Sequence, residues 1–104
     1  MKRIVTLILF LKIGTTGLIA KSDSQYFNHA LSEKNTKYCS LIEEKDERAA
    51  CFGIIKRNTG YCKMAKDKDI QNKCLSVALS DPTYCDRIKD SSIKKECQVL
   101  SSYQ

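Results

Sequence analysis

The chain has 104 residues, with 18 Lys+Arg against 12 Asp+Glu and a formal charge of +6; 42% of its residues are hydrophobic and 29% are charged. This length allows one domain and excludes most multi-domain enzymes, and the composition is that of a globular chain. Beyond position 20, 15 basic and 12 acidic residues remain, and this charge of +3 is too small to predict a nucleic-acid partner.

Residues 1–20 are predicted to be a secretory signal peptide. Two basic residues precede an apolar stretch, 4–11, and the small residue Ala20 stands before a polar segment. Cleavage after Ala20 is expected, with Gly17 as the competing site. The apolar stretch is too short to span a bilayer, which needs about 20 residues. The leader therefore predicts export, to the bacterial periplasm first and to the extracellular space as the alternative.

Residues 21–34 are predicted to form a capping helix at the N-terminal end of a repeat array. Shifting this segment by 23 positions places Leu31 over Ile54 and Asn28 over Cys51, so it matches the second helix of the repeats that follow. The end unit of a stack needs a different outer face from the inner units. A lone helix is therefore expected here rather than a hairpin.

The rest of the chain repeats with a period of 23 residues. Each unit contains a Tyr-Cys pair and, 12 positions after that cysteine, a second cysteine. A period kept by six cysteines and three tyrosines indicates an internal repeat, because chance does not produce such a match. The predicted units are 35–57, 58–80 and 81–104, and their Tyr-Cys pairs are Tyr38-Cys39, Tyr61-Cys62 and Tyr84-Cys85.

Each unit is predicted to form a short helix and a longer second helix. Asn35, Asn58 and Asp81 stand where N-caps are expected, and Pro82 suits the first helical position. Apolar residues in the second half of each unit recur at i, i+3 and i+4, as in an amphipathic helix. The first helices are predicted over 36–43, 59–66 and 82–89, and the second over 47–57, 70–80 and 93–102. The predicted fold is all-α: an N-terminal capping helix plus three disulfide-stapled helical hairpins, stacked as a short curved array.

The six cysteines are expected to form disulfides, because a signal peptide leads to an oxidising compartment. Twelve residues of unbroken helix would separate two cysteines by about 18 Å, whereas a disulfide needs Cα atoms within about 7 Å, so a turn must lie between them. Pairing within units uses every cysteine, whereas the alternative of pairing between units leaves the first and last without a partner. The favoured pairs are Cys39–Cys51, Cys62–Cys74 and Cys85–Cys97.

Neither a metal site nor a cofactor is predicted. No two cysteines are closer than 11 positions and the chain has one histidine, whereas zinc sites bring their ligands in close pairs. His29 is the candidate general base, but no serine or cysteine accompanies it in a recognisable catalytic arrangement. The acidic run 43–47 is interpreted as a solvated turn, because the equivalent segment 66–69 does not keep its charges. The protein is therefore predicted not to be an enzyme.

The middle unit is mildly basic and holds the candidate binding residues. A basic face attracts an acidic partner or, through membrane contact, an anionic lipid surface; a merely solvated face is the alternative. The repeated tyrosines are expected to pack in the core beside the disulfides rather than to form an exposed recognition stripe. The candidate binding residues are Lys63, Lys66, Lys68 and Lys73.

The Tyr-Cys-x11-Cys unit resembles the cysteine-stapled helical-hairpin repeats of small secreted proteins, a resemblance that implies an architecture and no activity. In its length, short basic leader and cysteine-rich remainder, the chain also resembles small exported proteins encoded on bacterial conjugative plasmids, including the host-killing (Kik-type) kind. This second resemblance implies a periplasmic protein linked to plasmid transfer or host toxicity, and it assigns no functional residue.

The leading function hypothesis is a non-enzymatic protein that acts by binding an unknown protein partner in an oxidising compartment. The first alternative is a small periplasmic toxin or host-killing protein, linked to a conjugative plasmid, that acts on the cell envelope. The second alternative is a small hydrolase or a hydrolase inhibitor.

Overall fold

The computed structural model describes residues 21–102, and the predicted signal peptide lies outside the described residues. All regular secondary structure in this described part is helical, which confirms the predicted all-α fold class. Long helices alternate with short helical segments, two of which are 3₁₀ turns. In chain order the elements are α1 (Asp23–Glu33), η1 (Cys39–Leu41), α2 (Lys45–Lys56), α3 (Thr59–Lys63), α4 (Lys68–Ala78), η2 (Pro82–Arg87) and α5 (Ser91–Ser102).

Each short segment is joined by a disulfide to the long helix that follows it. The Cα–Cα distances are 5.5, 5.3 and 5.6 Å in Cys39–Cys51, Cys62–Cys74 and Cys85–Cys97. All six cysteines are at most 2% exposed. The predicted pairing within units is confirmed, and each disulfide crosses the turn between its two helical segments.

The first helix of each unit is shorter than predicted. In the first unit it is a 3₁₀ turn, Cys39–Leu41, in place of 36–43. Ile42 follows this turn with an extended backbone (φ −72°, ψ 126°) and is buried. Ile88 has the same conformation and burial after the corresponding turn of the third unit. The extended residue ends the helical segment and places the isoleucine side chain in the core.

The long helices of the repeats begin two residues earlier than predicted, because acidic side chains cap them. Glu44 caps α2 by accepting a hydrogen bond from the Glu47 amide at 2.7 Å. Asp67 and Asp90 stand at the equivalent positions, and each accepts from two amides in the first turn of its helix. Glu44 is exposed, as predicted for a solvated turn, and it has the additional role of capping α2.

A second set of acidic residues joins each unit to the next. Asp23 accepts hydrogen bonds from the amides of Glu43 and Glu44 at 3.0 and 3.1 Å, one on each carboxylate oxygen. Asp46 and Asp69 make the same two-amide contact with the following unit, at 2.9 to 3.1 Å. These three bridging aspartates recur every 23 positions. Asp46 is therefore a structural bridge, which corrects the interpretation of the acidic run.

Asp46→Asn is expected to lower the free energy of unfolding by about 1 kcal/mol at neutral pH, because an amide side chain has one oxygen and satisfies one backbone amide instead of two. The amides of Asp67 and Lys66 lower the pKa of Asp46 below its ordinary value. Since this pKa is lower in the folded state, the difference between protein and variant is full above about pH 4 and disappears as the pH falls through the lowered value.

Urea unfolding of both proteins at about pH 7 and about pH 2 measures this difference. Asp86→Asn is the matched control, since it removes the same charge from an exposed side chain in η2. A loss of equal size in the control, or a difference that persists at acid pH, would contradict the bridging role of Asp46.

Small residues allow each long helix to lie directly against the disulfide of the next unit. Gly53 in α2 packs on the second disulfide, where an added Cβ atom would overlap Cys74 Sγ and lie 2.8 Å from Cys62 Sγ. Ser76 holds the equivalent position in α4, and its Oγ lies 3.3 Å from Cys85 Sγ. Ala30 holds it in α1 and is fully buried. Successive units therefore stack through a small residue on one side and a disulfide on the other.

Gly53→Ala is expected to lower the free energy of unfolding by about 1 to 3 kcal/mol, because the new methyl group overpacks the contact with the disulfide. At a solvent-exposed position inside a helix, a change from glycine to alanine is instead expected to raise the free energy of unfolding by about 1 kcal/mol. Gly60→Ala is the control, since Gly60 is exposed and its added Cβ meets the Asn58 side-chain oxygen at 3.0 Å. Thermal unfolding of both variants tests the contact, and an unchanged or raised midpoint for Gly53→Ala would refute it.

The core is divided unequally along the chain. The larger cluster of buried residues extends from α1 to α4 and includes Leu100 of α5. The smaller cluster belongs to the third unit and consists of Cys85, Ile88 and Cys97, with Ile93 packed against it. The third unit is therefore the one with the least core of its own.

One lysine of α4 is buried between the long helices. Lys73 is 1% exposed, and its Nζ lies 2.9 Å from Glu47 Oε2 of α2 and 2.7 Å from Glu96 Oε1 of α5. The same ammonium group lies 5.8 Å from the centre of the Phe27 ring of α1. One side chain of α4 therefore approaches the first, second and last of the long helices that the structure describes.

Candidate binding cleft

The structure places the candidate general base, His29, in a packed site on α1. Its ring stacks on Tyr38 with the ring centres 5.3 Å apart. Its Nδ1 lies 3.7 Å from Glu33 Oε2, and its Nε2 lies 3.0 Å from Lys21 Nζ. The imidazole therefore contacts a ring, a carboxylate and an amine. No described cysteine is a free thiol that could pair with it, because every cysteine is held in a disulfide. This arrangement holds the imidazole against the tyrosine.

Two features are not found within residues 21–102. No group of three or more His, Cys, Asp and Glu side chains in this range is placed to hold a metal ion. No helix in the same part of the chain is long and apolar enough to cross a membrane.

The lysine candidates do not share one surface. Lys73 was wrongly predicted to belong to a binding face, because its side chain is buried and its ammonium group is held between Glu47 and Glu96. The equivalent residue of the preceding unit is the buried Ala50, so this helical position faces the core in the first two units, whereas Glu96 holds it in the third unit and is exposed. A binding role for the other candidates stays a prediction. They are Lys63, Lys66 and Lys68, and all are exposed.

The repeated tyrosines are half-buried and stack on neighbouring side chains. The Tyr61 ring stacks on Phe52 of α2 with the centres 5.4 Å apart and the planes 22° apart. The Arg87 guanidinium lies 4.6 Å from the centre of the Tyr84 ring. The expectation that all three tyrosines lie in the core is wrong, because small residues such as Gly53 occupy the place beside the sulfur atoms.

An open cleft of about 570 Å³, here called the central cleft, lies beside α2 and α3. Its apolar lining includes the stacked pair Phe52 and Tyr61 and the side chain of Met64. Met64 is 66% exposed, more than any other large hydrophobic residue in the described part of the chain. The charged lining residues are Glu44, Lys45, Asp46, Arg48 and Lys66.

The carboxylates of the central cleft are engaged by the backbone, whereas its lysines are not engaged. Asp46 accepts from two amides of the following unit, and Glu44 caps α2. Arg48 donates to a carbonyl oxygen of the first unit at 2.9 Å. The Lys45 and Lys66 ammonium groups form no hydrogen bond or ion pair with any residue that the structure describes. Both ammonium groups therefore have hydrogen-bonding capacity left for a ligand, although the charge of Lys66 also interacts with the Asp46 carboxylate.

Comparisons with known proteins give no family for this chain. No family model, no curated protein and no solved structure matches it significantly. The residues of the site itself therefore carry the functional argument.

Sequence reasoning missed Met64 and Phe52, the two apolar residues that distinguish the central cleft. The signal was present in the repeat, because a shift by 23 positions aligns Met64 with Leu41 and with Arg87. Two apolar residues and one arginine at a single surface position indicate that the units differ in what they expose. The features that all units share locate the core, whereas the features that differ between units mark the exposed surface.

Proposed function

We propose that the protein is an exported, non-enzymatic binding module that holds a protein partner in its central cleft, in the bacterial periplasm. Three disulfides within 82 described residues indicate an oxidising, exported environment, because thiols are kept reduced in the cytosol. The assignment to the periplasm rests in addition on the predicted signal peptide and on the resemblance to small exported plasmid proteins.

The observation that carries the binding proposal is the exposed methionine beside an aromatic pair. Met64 is 66% exposed beside the half-buried rings of Phe52 and Tyr61, and contiguous apolar surface of this kind marks an interaction site. Methionine adapts its shape to a partner, and aromatic residues supply much of the binding energy at protein interfaces. Cys51 in α2 and Cys62 in α3 anchor both walls through disulfides, so the cleft is rigid before a partner arrives.

Site-specific photo-cross-linking tests this function. The full chain is exported from a bacterium with benzoylphenylalanine in place of Met64, and irradiation is expected to join it to a discrete protein in the periplasmic fraction. Leu41, which is 48% exposed at the equivalent position of the first unit, is the matched control for the same replacement. Identical products from both positions, or no product from position 64, would refute the proposal.

Growth and activity measurements separate this proposal from its alternatives. Induced export of the full chain is expected to leave growth unchanged. Growth arrest that is relieved by deleting residues 1–20 would instead favour the envelope toxin. A hydrolytic activity that is lost in His29→Ala would favour the hydrolase.

A further inference from the structure

We infer that the central cleft recognises an acidic protein segment that carries a protruding apolar side chain, with Met64 as its anchor contact and Lys66 as its charge contact. This inference rests on the proposed function and names the chemistry of the partner. It follows from three features of the cleft: its apolar lining, its free cations and its difference from the equivalent surfaces of the other two units.

The apolar lining of the cleft suits one or two side chains of a partner. Phe52 and Tyr61 present a stacked pair of rings, and Met64 lies beside them with most of its surface in water. A volume of about 570 Å³ lies within the usual range for sites that enclose a small group. A concave site of this size fits a protruding side chain better than a flat lipid surface, so the partner is a protein segment.

The charge around this lining selects acidic partners. Lys45 and Lys66 line the cleft, and neither ammonium group forms a hydrogen bond or an ion pair with a described residue, although the charge of Lys66 interacts with Asp46. Lys56 Nζ lies 5.8 Å from the centre of the Tyr61 ring. The two carboxylates in the lining have their oxygen atoms directed to backbone amides. A partner carboxylate therefore meets free cations beside the apolar lining, and such complementarity accelerates association.

The first unit has no basic residue at the positions of Lys45, Arg48 and Lys66. Its own stacked pair is His29 on Tyr38, and the exposed Leu41 stands in the position of Met64. Gln25 and Glu43 occupy the positions that Arg48 and Lys66 hold in the central cleft. The cation beside the aromatic pair of the first unit is Lys21, and its Nζ is already engaged by His29 Nε2 at 3.0 Å.

The third unit keeps the cations and loses the apolar site. Lys68 and Lys89 stand in the positions of Lys45 and Lys66. The residue equivalent to Met64 is Arg87, whose guanidinium covers the Tyr84 ring at 4.6 Å. Among the three units, the middle one combines the apolar lining with available cations. It is therefore the unit suited to bind an acidic segment with an apolar side chain.

Selection from a phage-displayed library of random 12-residue peptides against the full, oxidised chain tests this inference. Enriched peptides are expected to place Asp or Glu next to Leu, Met or Phe. Met64→Ser is expected to weaken binding of an enriched peptide at least tenfold, as for the loss of an anchor contact. Leu41→Ser, the same kind of change at the equivalent exposed position, is expected to leave binding unchanged.

A charge reversal tests the acidic class separately. Lys66→Glu, which installs the residue found in the first unit, is expected to weaken binding about tenfold, and raising the salt concentration is expected to weaken binding to the unaltered chain. Lys89→Glu makes the same reversal in the third unit and is expected to have little effect. Circular dichroism and thiol counts confirm that each variant is folded and oxidised.

The outcomes distinguish this inference from the proposed function. Enriched peptides that are basic or uncharged, yet lose binding in Met64→Ser, would overturn the acidic class and leave the binding function intact. Binding that is unaffected by Met64→Ser would overturn the cleft as the site. If no peptide is enriched, recognition of a short acidic segment is refuted, while cross-linking at position 64 still decides the broader proposal.

Discussion

Replacing Cys62 and Cys74 together by alanine is expected to lower the free energy of unfolding by about 4 to 5 kcal/mol, the upper part of the range for a native disulfide in a small domain. Closing a loop of about 13 residues accounts for about 3 kcal/mol in the chain-entropy model. The loss of two buried sulfur atoms adds to this, because Gly53 lies directly against them and a void remains. Urea unfolding at neutral pH measures the difference.

Cys85 and Cys97 provide the matched control pair. Their sequence separation is also 12, but they belong to the smaller core cluster of the third unit. Their joint replacement by alanine is expected to lower the free energy of unfolding by about 3 to 4 kcal/mol. These sulfur atoms are also buried and Ser76 packs on Cys85, but fewer core side chains surround them, so the packing loss is smaller. Equal losses in the two variants would contradict the packing contribution. Losses below about 1 kcal/mol in both would contradict the stapling role itself.

Lys73→Met is expected to lower the free energy of unfolding by about 3 kcal/mol, the lower end of the range for removing one partner of a buried ion pair. Two carboxylates then remain near the core without their cation. The Glu47 and Glu96 side chains are 32% and 44% exposed, so both reach water in part and moderate the loss. Chemical unfolding at neutral pH, compared with the unaltered chain, gives the value.

The contribution of Lys73 has a defined pH range. Burial lowers the pKa of this ammonium group, but the charge of Glu47 and the hydrogen bond to Glu96 outweigh burial, so the pKa is raised above its ordinary value. Because the folded-state pKa is the higher one, the stabilisation is complete below about pH 10 and is lost as the pH rises through the folded-state value. The lysine is therefore charged at neutral pH.

A triple variant separates the ion group from simple packing at Lys73. Glu47→Ile, Lys73→Met and Glu96→Leu are expected together to recover most of the lost stability, because an apolar replacement of a whole buried ion group is often neutral or stabilising. The repeat supports this choice, since Ile70 stands in the position of Glu47 in the next unit. A triple variant no more stable than Lys73→Met would show that unpaired carboxylates are not the cause of the loss.

Local signals predicted the starts of several elements correctly. Asn58 and Asp81 accept hydrogen bonds from amides of the segments that they precede, as their N-cap positions indicated. An N-cap joins residues two or three positions apart, so its signal lies within one short stretch of sequence. The ends of the short segments were less predictable, because burial of Ile42 and Ile88 depends on the core that they enter.

The bridging role of three aspartates was not predicted, although their spacing follows the repeat. Asp23, Asp46 and Asp69 recur with the same period as the cysteines, but charged residues near turns are usually solvated. Their partners lie 20 and 21 positions away, in the next unit. The period is sufficient to identify these aspartates as equivalent residues. Their hydrogen-bond partners are determined by how the units stack, which the sequence pattern does not specify.

The spacing of the cysteines was sufficient to predict a turn inside each unit, because a disulfide closes only over a short distance. Pairing within units was favoured over pairing between units because it uses all six cysteines, and the structure confirms it. The tertiary structure decided which lysines reach solvent and which unit carries the open cleft. Lys73 is buried because the flanking helices bring Glu47 and Glu96 to it. Met64 is exposed because no described segment packs over it. Burial depends on neighbours that are distant in sequence, and the stacking of the long helices determines those neighbours.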